Sequence, residues 1–571
     1  MPPTAANPTV SVSVLASLRL PPFSLDDAGI AWVQQQLLRL SPEQKLRQLF
    51  NLAMHGDNVA DARRMAASQP GGVTRFAAHD PDLAWAATRA LLEDCELPPL
   101  ISGDIEGGAI GIPCGTALPN QLGLAAADSL GLSEAAVGVL AQEARALGYN
   151  WTFTPVADLN VAFRSAIVAT RSYGSDLGAV LAQARVNVQT FQQHGVAATA
   201  KHFPGEGFDD RDQHLVTTLN PLDPAAWMDS FGAIYRGLFD AGVMTVMAGH
   251  IALPAYARAQ GARGLEACRP ASVSAPLLQT LLRGELGFNG LIVSDATAMG
   301  GLTSWASRAE FVPEVIQNGC DMFLFPHTFE SDFAHALAGL RDGRLSEARV
   351  EDAVTRVLGL KAALHLHTLS LDERLPPLPQ TRATLRSAEH LAIAREAASA
   401  SVTLVKDTRQ TLPVTLRKHR RVVIVSDPTR GGFAHQAPLP LLLPGLLAER
   451  GFEVRDFDPT DPPTAENCDL LLYLLAQESL LLQSHIYMDW QRLHGDFRQS
   501  MARFWHTVPC VLVSMGHPYY LYDAPRLPCV INAYSAIEPV QQAVLRKLTG
   551  EEAFTAISPV DASCGLPDAM D

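Results

Sequence analysis

Residues 196–205 read VAATAKHFPG. Five apolar or β-branched residues run into Lys201 and His202, and Pro204-Gly205 then closes the segment. A short apolar run stopped by turn-forming residues is the pattern of a buried strand, and burial on both faces suits a parallel sheet. Seven other runs have the same character: QLFNLAM (48–54), GGVTRFA (71–77), PLISGDIEG (99–107), NWTFTPVADL (150–159), GVMTVMAGHI (242–251), GLIVSDATAM (290–299) and CDMFLFP (320–326). Helical stretches such as LGAVLAQARVNVQTFQQ (177–193) separate several of them. Eight such βα units predict an N-terminal (β/α)8 TIM-type barrel.

The polar residues at the ends of these runs sharpen the expectation. Asp104, Asp158, Lys201 with His202, His250 and Asp295 each follow or close an apolar stretch in five adjacent units. A barrel collects the C-terminal ends of its strands on one face, so these side chains are expected around one pocket. Polarity also returns at strand ends for no functional reason, and a strand-end aspartate often caps the next helix. Five consecutive units ending this way favour the pocket.

LSEARVEDAVTRVLGLKAALHL (345–366) has the three-and-four apolar spacing of a helix that closes the barrel domain, placed at 1–366. HTLSLDERLPPLPQTRATLRS (367–387), rich in proline and polar residues, is read as a linker. Residues 388–571 then predict a smaller α/β sandwich domain with a mainly parallel sheet. Its helix is expected at 390–407 and its strands at RVVIVSD (421–427), PCVLVSMGHP (509–518) and PCVINAYSA (528–536). LLLYLLAQESLLLQ (470–483), too short and too interrupted to cross a bilayer, reads as a buried strand followed by a helix.

The chain has 571 residues and a net charge of −15, with no concentration of Lys and Arg able to follow a phosphate backbone. Neither nucleic acid nor a membrane is an expected partner. The opening residues MPPTAANPTVSVSVLASLRLPPF lack a basic stretch followed by an apolar core, so they are read as a loose arm rather than a signal peptide. The eight cysteines are scattered, without metal-ligand spacing, and are expected as free thiols in the cytoplasm. No metal or cofactor is expected, and the oligomeric state is left as monomer or homodimer.

The densest chemical signal is Lys201-His-Phe-Pro-Gly-Glu-Gly-Phe-Asp-Asp-Arg-Asp-Gln-His214. It resembles the K-H-F-P-G-x-G-x(4)-D-x-H signature of the β-N-acetylglucosaminidase branch of glycoside hydrolase family 3. Other pieces stand in that family's order: D-I-E-G-G (104–108), R-S-Y-G (171–174), M-A-G-H (247–250), P-A-S-V-S (270–274) leading into GFNGLIVSDATAM (287–299), and NGCDMFLFP (318–326). An ordered set of motifs is more specific than any one of them.

The resemblance implies a retaining exo-β-N-acetylglucosaminidase acting on small-molecule glycosides that contain N-acetylglucosamine. Asp295 is the implied nucleophile, and Asp212 with His214 the implied general acid/base. Retention needs an attacking carboxylate and a proton donor for the leaving oxygen. A histidine near its ordinary pKa of about 6.5 serves the second role near neutrality, and a carboxylate two residues away is able to hold one of its ring nitrogens. By the same correspondence Asp104, Arg171, Lys201 and His202 bind the sugar hydroxyls. The alternative structural roles are an internal ion-pair network for Lys201 and His202, a brace on Asp158 for Arg171, and supports behind the pocket for Glu106 and His250.

Three positions depart from the family pattern: Glu206 replaces a second histidine, Ala296 a second aspartate, and AIGIP (109–113) lacks an arginine. Two other readings stand beside the hydrolase. A neutral histidine admits an anionic acceptor, which allows a β-N-acetylglucosaminide or β-glucoside phosphorylase on the same scaffold. A non-catalytic sugar-sensing protein is the third, opposed by the intact Asp212, His214 and Asp295.

Overall fold

The computed structural model describes residues 14–76, 78–428, 438–479, 481–482 and 485–570. The first thirteen residues of the expected N-terminal arm lie outside the described residues. All eight apolar runs of the first part contain a strand: β1 (Phe50–Met54), β2 (Gly72–Arg75), β3 (Leu100–Gly103), β4 (Trp151–Thr152), β5 (Thr199–Phe203), β6 (Thr245–Ala248), β7 (Leu291–Ser294) and β8 (Phe323–Leu324).

The strands pair in parallel as two arcs, β8-β1-β2-β3-β4 and β5-β6-β7. Isolated parallel bridges join the arcs, Trp151 to Ala197 and Val156 to Lys201 at one seam and Val293 to Met322 at the other. The result is a curled parallel sheet whose ring is continuous through full ladders within each arc and isolated bridges at the seams. Side chains fill its interior. The Trp151 indole N–H lies 2.9 Å from Thr199 Oγ1 and 3.0 Å from Thr245 Oγ1, while Asn51, Thr74 and Ser102 form a second buried hydrogen-bonded group.

Helices cover the outside of the sheet, and their ends are written in the sequence. Asp176 caps Leu177–Gln193 through the N–H of Ala179, and that helix buries Val180, Ala184, Val188 and Phe191. Ser346 caps Glu347–Ala363, the expected closing helix. Residues 367–387 carry two short helices, Leu371–Arg374 and Leu378–Thr384. They are fastened to the barrel by bonds from Trp85 Nε1 to Pro376 O (2.7 Å) and from Thr381 Oγ1 to Ala146 O (2.8 Å).

The second sheet runs β9-β14-β13-β12-β10-β11, with β9 (Thr403–Asp407), β10 (Arg421–Asp427), β11 (Glu453–Asp456), β12 (Leu470–Leu475), β13 (Cys510–Ser514) and β14 (Cys529–Asn532). Only β9 is antiparallel to its neighbour. Central β12, LLLYLL, is buried throughout, as a strand covered on both faces requires.

Two expectations are corrected here. The helix expected over 390–407 ends at Ser401, and Thr403–Asp407 is strand β9. Val402, Thr403 and Val405 are β-branched, and Thr403–Asp407 finds a ladder on β14, which outweighs continuation of the helix. The described residues Ala476–Ser479 that follow β12 are irregular rather than helical. Their polar side chains are committed elsewhere: Gln477 Nε2 donates to Pro428 O, and Glu478 reaches across to the barrel.

Candidate active site

Asp295 directly follows β7. Its N–H donates to Ala248 O of β6 (2.8 Å), and its Oδ1 accepts the N–H of Ala296 (2.7 Å), which orients the carboxylate. The residue is 8% exposed. Burial alone would raise its pKa, but His202, His250, His214 and the Ala296 N–H together hold it below the ordinary 3.8. Asp295 is therefore an ionised carboxylate in a largely dry setting.

Asp212 and His214 lie on the loop after β5. The backbone N–H and Nδ1 of His214 both meet Asp212 Oδ1, each at 2.7 Å, so the imidazole is folded onto the carboxylate. Asp212 Oδ2 accepts the N–H of Leu482 (2.9 Å), which belongs to the loop after β12 of the second domain. The loop carrying the pair is clipped to the loop after Asp295. Gly300 N–H donates to His214 O (2.7 Å) and Gly301 N–H to Gln213 O (3.1 Å). A Cβ on Gly300 would stand 2.4 Å from Leu215 O, so this close approach needs glycine. The three side chains expected to carry the chemistry are thus brought into one neighbourhood.

Three of the four expected sugar-binding residues, Asp104, Arg171 and Lys201, form an ionic lattice with Glu106. Arg171 makes a two-pronged contact with Glu106, Nε to Oε2 and Nη2 to Oε1, both at 2.9 Å. Lys201 Nζ stands 2.7 Å from Asp104 Oδ1 and 2.7 Å from Glu106 Oε1. Burial would raise the Glu106 pKa, but Arg171 and Lys201 bring it down to about 2. The Arg171 guanidinium is held charged: burial works against it, and Glu106 more than compensates. Arg171 braces Glu106 rather than Asp158, because the fork geometry matches a carboxylate presented side-on by the loop after β3.

Asp158 serves His202 instead. Its Oδ2 meets His202 Nδ1 at 2.7 Å, and its Oδ1 accepts the N–H groups of His202 (3.2 Å) and Glu206 (2.8 Å). Glu206 is 3% exposed and accepts from Gln213 Nε2 (3.0 Å). Burial raises its pKa well above 4.5, reinforced by Asp158 and Asp212 and opposed by Arg171, which favours the neutral carboxylic acid. His250 is held between Ser272 Oγ (2.8 Å) and Ala296 O (3.0 Å), and burial lowers its pKa. It positions the backbone of the residue beside Asp295.

Asp158, His202 and Glu206 offer donor atoms within 4.8 Å of one another, the spacing a metal ion needs. Both Asp158 oxygens and His202 Nδ1 are already engaged with each other and with backbone N–H groups. The donor set therefore fits a hydrogen-bond hub better than a metal cage.

This constellation stands where the family comparisons place their match. A family model described as the glycosyl hydrolase family 3 N terminal domain matches residues 42–360. The chain belongs to glycosyl hydrolase family 3. A β-N-acetylglucosaminidase/β-glucosidase of Cellulomonas fimi is 40% identical over 572 aligned residues, 97% of this chain and 100% of the relative. A β-hexosaminidase of Vibrio cholerae is 31% identical over 265 residues, 44% of this chain and 74% of its own length. Among solved structures, the β-glucoside phosphorylase BglX bound to 2FGlc has a TM-score of 0.90 at 33% identity, covering 96% of this chain and 100% of that one. A family 3 β-N-acetylglucosaminidase from Paenibacillus sp. str. FPU-7 has a TM-score of 0.77 at 24% identity, over 92% of this chain and 100% of that one, and is alike in fold. This family 3 chain is a glycoside hydrolase. Among the described residues, no helix is long and apolar enough to cross a membrane.

Two contributors escaped the motif-based reading. Gln213 ties Glu206 to the backbone of His250, accepting the His250 N–H at 2.9 Å; its place between Asp212 and His214 was the available signal. The Leu482 N–H had none, because a backbone donor carries no residue signature.

Proposed function

We propose that this chain is a retaining, exo-acting β-N-acetylglucosaminidase that releases terminal non-reducing β-linked N-acetylglucosamine through a glycosyl-Asp295 intermediate. The observation that carries the reading is the ionised, buried Asp295 beside an Asp212-paired His214, on loops joined through Gly300 and Gly301. An Asp295 oxygen attacks the anomeric carbon while the bond to the leaving oxygen breaks, and His214 gives that oxygen its proton. His214 then takes a proton from water, whose oxygen displaces Asp295 and restores the β-configuration. Asp212 steadies the imidazolium that forms after each proton uptake. Asp104, Arg171, Lys201 and His202 are the candidates for holding the sugar hydroxyls. Residues 1–366 and 388–571 are proposed as catalytic and second domains, with 367–387 between them.

A second reading is favoured by one specific comparison. The β-glucoside phosphorylase BglX matches both domains at 33% identity, and the Cellulomonas fimi relative carries β-glucosidase in its name. In this reading phosphate replaces water as acceptor and glucose is accepted as the donor sugar. A histidine acid/base supports it, because a carboxylate in that place would repel phosphate. The test is to incubate the purified chain with aryl β-N-acetylglucosaminide and aryl β-glucoside, with and without phosphate, and to identify the sugar product. Free N-acetylglucosamine at a rate indifferent to phosphate supports the first reading, while sugar 1-phosphate establishes the second. Asp295→Ala should abolish release in either case, and persistence of the wild-type rate removes Asp295 as nucleophile. Sugar binding without turnover of either glycoside would leave the sensing role.

A further inference from the structure

The loop that follows β12 crosses from the second domain to the barrel at two places. At its base, Glu478 is buried and accepts four hydrogen bonds. Ser535 Oγ (2.8 Å) and Ala536 N–H (3.2 Å) come from its own domain, and Ala109 N–H (3.2 Å) and Asn120 Nδ2 (3.1 Å) come from the barrel. Behind the loop, Gln477 O accepts the His517 N–H (2.7 Å), and a Cβ on Gly516 would stand 2.0 Å from that same oxygen. Ser479 Oγ donates to Ile167 O (3.3 Å) on the barrel side. Beyond these anchors Leu482, held at φ +62°, points its N–H at Asp212 Oδ2.

We propose that this second-domain loop is a positioning element for the acid/base pair, with the Leu482 N–H fixing the Asp212 carboxylate so that its other oxygen holds His214. The inference rests on the reading of Asp212 and His214 as the acid/base. Two oxygens of one carboxylate are used in opposite directions: Oδ1 toward the imidazole and its backbone, Oδ2 toward Leu482. Without the second contact the carboxylate is free to rotate about its Cβ–Cγ bond, and the imidazole loses its fixed acceptor. Asp212 is 2% exposed, so water does not readily replace the missing donor. The leucine side chain is 62% exposed and not part of this contact, so the main chain carries the function.

The experiment compares kcat/KM for two aryl glycosides of the same sugar, one with a dinitrophenyl group that leaves unprotonated and one with a plain phenyl group that needs the acid. Leu482→Pro in the full-length chain removes the N–H and, because proline holds φ at about −65° where Leu482 stands at +62°, also turns the main chain away from Asp212. It should lower kcat/KM for the phenyl glycoside about 10- to 100-fold and for the dinitrophenyl glycoside less than about 3-fold, the range of one hydrogen bond to a charged group. Leu482→Gly keeps the N–H and suits a positive φ, so it should retain the wild-type ratio between the two substrates. Adding Leu482→Pro to Asp212→Asn should cost nothing further on the phenyl glycoside. Equal losses on both substrates, or a changed ratio in Leu482→Gly, overturn the inference. Should Leu482→Pro not fold, Glu478→Ala unties the base of the loop and is judged by the same ratio. If Asp212→Asn itself is indifferent to the leaving group, the acid/base reading has failed, an outcome separate from failure of the loop's role.

Discussion

Replacing Glu106 with glutamine keeps the size of the side chain and removes its charge. Both Glu106 oxygens accept from Arg171 at 2.9 Å, and Oε1 also meets Lys201 Nζ at 2.7 Å. A glutamine offers one oxygen to these three donors and turns its own N–H groups toward a cation. Burial by itself would raise the Glu106 pKa, yet Arg171 and Lys201 take it from 4.5 to about 2. At about 1.4 kcal/mol per pK unit, that drop favours the ionised form by roughly 3 kcal/mol. Removing one partner of a buried ion pair costs on the same order. The folded-state pKa lies below the unfolded one, so this contribution is fully present above 4.5 and is lost as pH falls from 4.5 toward 2. Urea unfolding followed by tryptophan fluorescence, with Trp151 buried in the barrel, reads the effect. Glu106→Gln should be about 3 kcal/mol less stable at neutral pH, and the gap should narrow below 4.5. A gap under about 1 kcal/mol at neutral pH, or one that does not change on acidification, would refute the reasoning.

Glu206 has the opposite sign. Burial, with Asp158 and Asp212 adding to it, raises its folded-state pKa, so its contribution is fully present below 4.5 and is lost as pH rises through the folded value. Glu206→Gln, which has no proton to lose, should therefore melt progressively higher relative to the wild type as pH is raised from below 4.5 to neutrality, and a difference independent of pH counts against a neutral Glu206. Gly207 stands at φ +109°, and a Cβ there would lie 1.7 Å from Leu159 O. Gly207→Ala should cost about 3 kcal/mol or more in urea unfolding; a nearly wild-type midpoint would mean that the β5 loop yields where the packing says it is rigid.

The barrel was legible because each of its strands is a continuous apolar run with turn residues beyond it, and a strand buried on both faces leaves no other pattern. The candidate site was legible for a related reason. Asp104, Lys201, His202, His250 and Asp295 are chargeable side chains at the ends of such runs, and the topology alone brings strand ends together. Pairings among those side chains were not legible. Arg171 goes to Glu106 rather than Asp158, a choice made by loop paths that periodicity does not encode. Thr403–Asp407 was misjudged because its strand partner, Cys529–Asn532, lies more than a hundred residues away, and local pattern weighs only neighbours. The Leu482 contact lay beyond reach for a different reason, since every non-proline residue has the same N–H and only position distinguishes one.

The charges of the site explain why Glu206 is tolerated where a second histidine is the family habit. Asp104 and Glu106 are balanced by Lys201 and Arg171 in a lattice of two acids and two bases. Around Asp295 lie Asp158, Asp212 and Glu206, faced by three histidines, with Arg171 also acting on Glu206. A charge on Glu206 would be opposed by Asp158, Asp212 and Asp295. Held toward its neutral form, the Glu206 side chain accepts from Gln213 and Thr218, and through Gln213 it supports the Asp212–His214 loop and the backbone of His250. The proposed nucleophile Asp295 then has one fewer charged neighbour.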